Sequence, residues 1–252
     1  GERGLENMTD KKDRQEWIDF VIESFFNPCV KLTRIKNLTF DQFAKLVKKG
    51  SKDLNGDGVM TPEADQYGFY SSCWQSPISI LYTGGQRIYN KDAKGIPQLT
   101  LNTSKTVDIF TEYFDLVDTD DVFVRTEQPS SGYGAVYTGT DLFTSGRALF
   151  TDKGLGSAKG MRAMNDDFGI LPWPKFGEDD EYATVINGHA SLMLMPITVD
   201  DPEKTGAITE ALCAIGSRDV IPAFYDVSLK TKFSRDAESE KMIDIIKNSL
   251  IY

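Results

Sequence analysis

Two kinds of apolar pattern alternate along this chain, and few folds accommodate both. Segments with apolar residues three and four apart read as amphipathic helices, and between them lie short uninterrupted apolar runs that read as strands. Such alternation favours an α/β architecture, with helices laid against a sheet. At 252 residues and 40% hydrophobic content the chain can bury a substantial core, as one large domain or as two lobes. It carries no internal repeat and no low-complexity stretch.

Trp17, Phe20, Val21 and Phe25 share one helical face. Thr39 followed by Gln42 is a capping-box arrangement, and it predicts a helix whose buried stripe is Phe40, Phe43 and Val47. An Asn/Gly/Asp-rich loop from Asp53 to Asp65 leads into an apolar stretch around Tyr67 to Trp74, then a helix through Ile78 to Tyr82 that Gly84 and Gly85 end. A turn follows at Asn90 to Gly95, and Ser104 is the expected N-cap of a helix facing the core with Val107, Phe110, Phe114 and Val117. Arg147 to Phe150 and Phe168 to Leu171 read as short strands, and Ala190 to Met195 as a fully buried one. Asp201 and Pro202 open a helix with the apolar face Ile208, Leu212 and Ile215, closed by Gly216. A last helix near Glu238 to Leu250 packs Met242, Ile246 and Leu250.

Several functions are disfavoured at this stage. A formal charge of −10, with no basic cluster interleaved with aromatics, repels phosphate backbones and argues against nucleic acid as a partner. No apolar run approaches the roughly 20 residues of a membrane helix, and no signal peptide opens the chain, so the protein is expected to be soluble as it stands or trimmed of an export signal. Cys29, Cys73 and Cys213 are far apart and suggest neither a disulfide framework nor a zinc site. His189 is the only histidine, which leaves little for imidazole-based catalysis, and Gly132-Tyr133-Gly134 and Gly154-Leu155-Gly156 lack the context of a nucleotide fingerprint.

A series of segments in fixed order carries a family likeness: Leu38 to Phe43, Lys52 to Gly58, Gln66 to Phe69, Phe143 to Phe150, and above all Asp166 to Lys175. Asp201 to Gly206, Val220 to Tyr225 and Arg235 to Ser239 continue it. In this order the chain resembles the extracellular solute-binding proteins of bacterial carbohydrate ABC importers, the maltose-binding-protein-like family 1. The resemblance implies a type II periplasmic-binding-protein-like fold, two α/β lobes about a hinge, a sugar or oligosaccharide held in the cleft, and delivery to an ABC transporter permease without catalysis. It places the protein outside the cytoplasm, as a cell-surface lipoprotein or in the periplasm, with membrane association only through a lipid anchor absent from this chain. Family members are longer, so the chain is expected to be a C-terminal portion lacking most of the first lobe. On that reading residues 1–38 are a poorly matched helical segment. Residues 39–170 are mainly second-lobe α/β structure, and residues 171–252 are the hinge crossing and a C-terminal helical region.

Sugar sites join aromatic faces, which stack on pyranose C–H surfaces, to amides and carboxylates that bond paired hydroxyls. Trp74 and Gln75 stand where the relatives present an aromatic to the sugar, although Trp74 could equally be a core residue beneath the following helix. Asp152, beyond Phe150 and Thr151, ends a strand that brings a cleft residue in the relatives. Trp173 lies between Pro172 and Pro174, so its backbone is stiff and its ring is displayed in a fixed direction, for hinge packing first and cleft contact second. Tyr182 and Asn187 flank a segment expected to cross between lobes, and Tyr133 and Tyr137 form a further aromatic pair.

Asp53, Asn55, Asp57 and Gly58 reproduce the first half of an EF-hand loop, but its twelfth position is Ala64, with Glu63 and Asp65 on either side. A structural Ca²⁺ held by Asp53, Asn55, Asp57, the Val59 carbonyl and either Glu63 or Asp65 is the expectation, against a metal-free Asx turn. No catalytic cofactor is implied. The alternative functions are a calcium-stabilised extracellular carbohydrate-active enzyme, using pairs such as Asp120/Asp121 or Asp166/Asp167, and an adhesion or scaffold module.

Overall fold

The computed structural model describes residues 37–125, 141–186, 193–233 and 237–251. Helix α1 (Phe40–Gly50) starts as its sequence dictates: the Gln42 amide donates to the Thr39 hydroxyl, and the Gln42 side chain accepts from the Thr39 amide. Phe40, Phe43 and Val47 are buried, joined by Leu46. The chain then passes the 53–65 loop, closed by a pair of backbone hydrogen bonds between Lys52 and Gln66 at 2.8 and 3.0 Å.

Strand β1 (Tyr67–Ser72) is buried along its whole length, as a central strand covered on both faces must be. After it come α2 (Gln75–Thr83), the hairpin β2 (Tyr89–Lys91) and β3 (Pro97–Leu99), α3 (Ser104–Val117) and β4 (Val122–Arg125). Strand β5 (Ala148–Thr151) completes a parallel sheet of order β4-β1-β5, with Phe69 opposite both Val122 and Phe150. Adjacent residues of β1 serve two cores. Phe69 packs with Phe43, Ile109, Tyr113 and Phe150, whereas Tyr70 packs with Leu142, Phe143 and Phe168.

Helix α1 lies unusually close to β1, and Gly68 permits it: a Cβ there would stand 1.9 Å from the Val47 carbonyl oxygen. Beyond the sheet, a 3₁₀ segment (Leu155–Ala163) precedes an irregular stretch whose Lys175 bridges back to Leu38 and Phe40, at 3.0 and 2.7 Å. Strand β6 (Thr184–Val185) pairs in parallel with β7 (Leu250–Ile251). Between them run α4 (Pro202–Ile215), two π-helical segments (Gly216–Val220 and Ala223–Phe233) and α5 (Ala237–Asn248). Among the described residues no helix is long and apolar enough to cross a membrane.

The structure corrects several expectations. Helix α3 is capped by Thr103, whose hydroxyl accepts from the Thr106 amide at 3.0 Å, and Ser104 is its first helical residue. Its buried face is Ile109, Tyr113 and Leu116, while Val107 and Phe114 are 62% and 56% exposed. The helix offers two apolar series a residue or two apart. The one taken inward fits Ile109 against Gly84 and lets the Tyr113 hydroxyl reach Ser71 and Ser76. Phe168 to Leu171 is not a strand, because the Ile170 amide bonds the Ser239 hydroxyl at 3.0 Å instead of a neighbouring strand.

Residues 193–196 are exposed and irregular rather than a buried strand, with no strand paired to them among the described residues. Asp201 caps α4 and Pro202 opens it, as the sequence requires. Its Ile208, Leu212 and Ile215 face is nonetheless exposed, and the helical path continues through Gly216 because that glycine keeps right-handed helical geometry. Met242 and Ile246 are buried in α5, but Leu250 belongs to β7. The predicted helix bearing Trp17, Phe20, Val21 and Phe25 lies outside the described residues.

Candidate functional site

In the β4-β1-β5 sheet the chain leaves β1 for one side and later returns to the other, which makes the boundary between β1 and β5 a topological switch point. Loops diverge there at the carboxyl ends of the strands and leave a crevice, the usual ligand position in open parallel sheets. A cavity of about 840 Å³ occupies this place. Trp74 and Gln75, beyond the end of β1, and Asp152, beyond the end of β5, all line it, together with Trp173.

Trp74 is 53% exposed at the head of α2, so it is not a core residue beneath that helix. Its amide and that of Gln75 each donate to the Ser72 hydroxyl at 3.3 Å, which fixes the turn that carries both side chains. Asp152 is nearly buried. One carboxylate oxygen accepts from the Ser72 amide at 2.8 Å and the other from the Ser76 hydroxyl in the first turn of α2. Ser76 shares a further hydrogen bond with Ser71 at 2.8 Å, and Tyr113 joins the two serines. Burial pushes the Tyr113 hydroxyl above its ordinary value, against the opposing effect of its bonds to the two serines. Asp152 therefore ties the end of β5 to the start of α2, a structural duty beyond the ligand contact expected of it.

Trp173 packs on Phe43 and Phe69, with ring centroids 6.2 and 6.0 Å apart, and borders the cavity as well. Its ring is thus a core contact and part of the cavity wall at once. Its Nε1 is the one buried side-chain nitrogen or oxygen among the described residues without a hydrogen-bond partner, an arrangement that costs about 1–3 kcal/mol.

Tyr182 does not line the cavity. Its hydroxyl bonds the Leu38 backbone, Lys175 lies over its ring at 5.7 Å, and burial pushes its pKa up to about 12. Asn187, His189, Tyr133 and Tyr137 lie outside the described residues. Ser72, Ser76, Ser79 and Lys153 escaped the sequence reading. The signal for the first two is a pair of small polar residues closing a strand and opening a helix, the place where a buried acid elsewhere in the chain finds donors.

No protein-family model matches this sequence, and no curated protein does. A solved structure similar to it is the maltose/maltodextrin-binding domain MalE from Bdellovibrio bacteriovorus bound to maltotriose. The identity is 19%, the match covers 84% of this chain and 51% of that one, and the TM-score is 0.47. The chain thus spans about half the length of that protein. A likeness at this level carries no argument about ligand or role, and the reading of the site rests on its own geometry.

The 53–65 loop is held by its own polar groups. Asp53 accepts the amides of Gly56 and Gly58 at 2.6 and 2.8 Å, Asn55 that of Asp57 at 3.0 Å, and Asp57 that of Val59 at 2.8 Å. Asp65 is fully buried and accepts from the amides of Leu54 and Thr61 at 2.9 and 2.8 Å. Among the described residues no three acidic, histidine or cysteine side chains cluster as a metal site. Each carboxylate oxygen of Asp53 and Asp57 accepts a single hydrogen bond and retains a lone pair, so these bonds do not themselves bar a cation, whereas one oxygen of Asp65 takes both the amide and the hydroxyl of Thr61.

The amide of Thr61, followed by those of Leu54 and Asn55, holds the Asp65 carboxyl below its usual value of 3.8, against the opposing effect of burial. A depressed folded pKa stabilises the protein above the unfolded value, and that stability is lost as pH falls through the folded one. Thermal melts between pH 7 and pH 3 are expected to show an acid loss that Asp65→Asn diminishes. The same variant lowers the midpoint at pH 7, because its amide would set a donor against the donors of Leu54 and Thr61. An unchanged midpoint at pH 7 would show that Asp65 does not hold the loop.

Proposed function

We propose that this chain is a sugar-binding protein of the extracytoplasmic, type II periplasmic-binding kind, delivering a saccharide to an ABC importer permease and performing no chemistry. The observation that carries the binding reading is the exposed Trp74 at the rim of an 840 Å³ cavity set at the switch point of a parallel sheet. Its aromatic face, the adjoining Gln75 amide and the mostly apolar walls suit a pyranose, which has C–H faces and a hydroxyl rim.

The acid pairs that an enzyme reading would employ stand elsewhere. The backbone carbonyl of Asp121 accepts the Gly68 and Phe69 amides at the opposite end of β1, Asp166 lies beside Gly146, and neither pair borders the cavity. Asp152 is the only carboxylate that does so among the described residues. A second carboxylate on the far side of the bond, which glycoside hydrolysis ordinarily needs, is not among those lining residues. Transport and extracytoplasmic location, with or without a lipid anchor, are the parts of the proposal drawn from the family resemblance.

A thermal-shift screen against mono- and oligosaccharides tests the binding reading. A ligand present at a hundredfold excess over its Kd stabilises the folded state by about 2.7 kcal/mol, a rise of roughly 5–10 °C for a chain of this size. No shift with any saccharide would overturn it. The same screen tests a separate proposal, Ca²⁺ held by Asp53, Asn55, Asp57, the Val59 carbonyl and either Glu63 or Asp65. Millimolar Ca²⁺ is expected to raise the midpoint and chelator to reverse it, and identical melts in both would leave the Asx turns as the whole account of the loop.

A further inference from the structure

Helix α4 and the two π-helical segments form one continuous helical path over residues 202–233. Only its far end is anchored. Leu229 is fully buried, and Lys230 is ion-paired with Asp244 of α5 at 2.5 Å and with Asp226 at 3.3 Å. No residue from 202 to 228 is buried, which leaves roughly 35–40 Å of helix uncovered. Helices in water draw most of their stability from packing an apolar face, and this one has such a face with no described element over it.

The face is a single stripe. Ile208, Leu212 and Ile215 recur at helical spacing in α4, with Ala211 between them. In plain α-helical geometry Val220, Phe224 and Val227 would fall about a third of a turn away from these. The π-helical segments take almost one residue more per turn and so bring the three back into line with the α4 face. Just upstream, Met193, Leu194, Met195 and Ile197 are exposed as well. These ten large apolar side chains, each at least 39% exposed, leave on the order of 100 Å² apiece, or roughly 1,000 Å² together. The largest apolar patch on a typical monomer is about 300–600 Å², and a stable interface takes about 800 Å² from each partner.

The charges on the stripe make it complementary to itself. Lys204 and Asp219 continue the Ile208, Ala211 and Ile215 edge at its two ends, equally far from the midpoint between Ala211 and Leu212. A second copy laid antiparallel about that midpoint sets Ile208 against Ile215 and Lys204 against Asp219, each twice over by symmetry. It also brings the exposed 193–197 stretch of either copy toward Val220, Phe224 and Val227 of the other. Among the described residues Lys204 bonds only through its amide, to Asp201 at 2.9 Å. Asp219 receives Arg218 at 2.7 Å on each carboxylate oxygen and keeps a lone pair on both. A lipid surface suits this helix less, because Glu203, Glu210 and Asp219 outnumber Lys204 and Arg218 along it, whereas membrane-surface helices are rich in Lys and Arg.

We infer that this helix is a homodimerisation arm, pairing antiparallel with the same helix of a second copy about the Ala211–Leu212 midpoint. None of its residues lines the cavity, so the inference does not depend on the saccharide reading.

The test is sedimentation velocity on the full chain from about 1 to 300 μM, under reductant because Cys213 is exposed. The expected result is a reversible species of twice the 28.1 kDa chain mass. Leu212→Lys, at the centre of the pairing, is expected to weaken association at least about 100-fold. Lys204→Glu should weaken it about tenfold, and Lys204→Glu with Asp219→Lys should restore it. A dimer that tolerates Leu212→Lys, or a charge swap that restores nothing, would overturn the proposed pairing. A parent that stays monomeric throughout would overturn dimerisation itself, and two further measurements then identify what covers the stripe instead. Leu212→Lys melting far below the parent would point to cover from within the same chain, such as the apolar face of Trp17, Phe20, Val21 and Phe25. Flotation of the monomer with phosphatidylcholine vesicles would point to lipid.

Discussion

Gly68→Ala is expected to destabilise the protein by about 3 kcal/mol, the upper part of the range for overpacked cores, or to prevent folding. The added methyl would meet the carbonyl oxygen of Val47 at 1.9 Å and its carbonyl carbon at 2.5 Å, both backbone atoms. Neither side can yield cheaply. The Val47 carbonyl already accepts the Ser51 amide at the end of α1, and the Gly68 amide donates to Asp121 at 2.9 Å. Gly50→Ala makes the informative contrast, because the three atoms nearest its Cβ all belong to the Leu149 side chain and none to backbone, and a better helix former would replace glycine in α1. A loss of about 1 kcal/mol or less is expected there. Gly156→Ala has open space and should change stability by less than about 0.5 kcal/mol. Denaturant midpoints for the three variants should follow that order. A Gly68→Ala protein as stable as Gly156→Ala would mean that α1 does not lie on β1 as described.

How much of this was legible beforehand depended on the range of the interaction concerned. The start of α1 is set by Thr39 and Gln42, three residues apart, and that of α4 by Asp201 and Pro202. Both helices begin where such local signals place them. Local signals say nothing about what covers a face. Ile208, Leu212 and Ile215 have helical spacing, yet no described element packs over them. In α3 the choice between two apolar series was made by Gly84 and by the Ser71–Ser76 pair, neither of which lies in α3.

The site divides in the same way. Trp74, Gln75, Asp152 and Trp173 were named from residue type and family order, and the structure brings all four to one cavity. The bonds that hold Asp152 join residues 76 and 80 apart in sequence, which no spacing argument reaches. Tyr182 has the chemistry of a ligand residue but is committed to Leu38 and Lys175. Residue type alone could not tell it from Trp74, because the difference lies in which neighbours the fold delivers.

Trp74→Ala is expected to lower affinity for the bound saccharide about 30-fold, the effect of removing an aromatic anchor worth roughly 2 kcal/mol. Stability should change by less than about 0.5 kcal/mol, because the side chain is 53% exposed and the turn beneath it is held by backbone amides on the Ser72 hydroxyl. That pairing of a large binding effect with a small stability effect separates a ligand platform from a packing residue. Trp74→Phe keeps an aromatic face and should recover most of the affinity. Trp173→Ala should do the opposite, lowering the melting midpoint sharply because its ring packs on Phe43 and Phe69. Titration and melting of the three variants side by side decide the matter. If Trp74→Ala binds as the parent does, the sugar is not stacked at the rim. If it melts far below the parent, Trp74 supports the fold and the ligand's aromatic platform must be sought elsewhere.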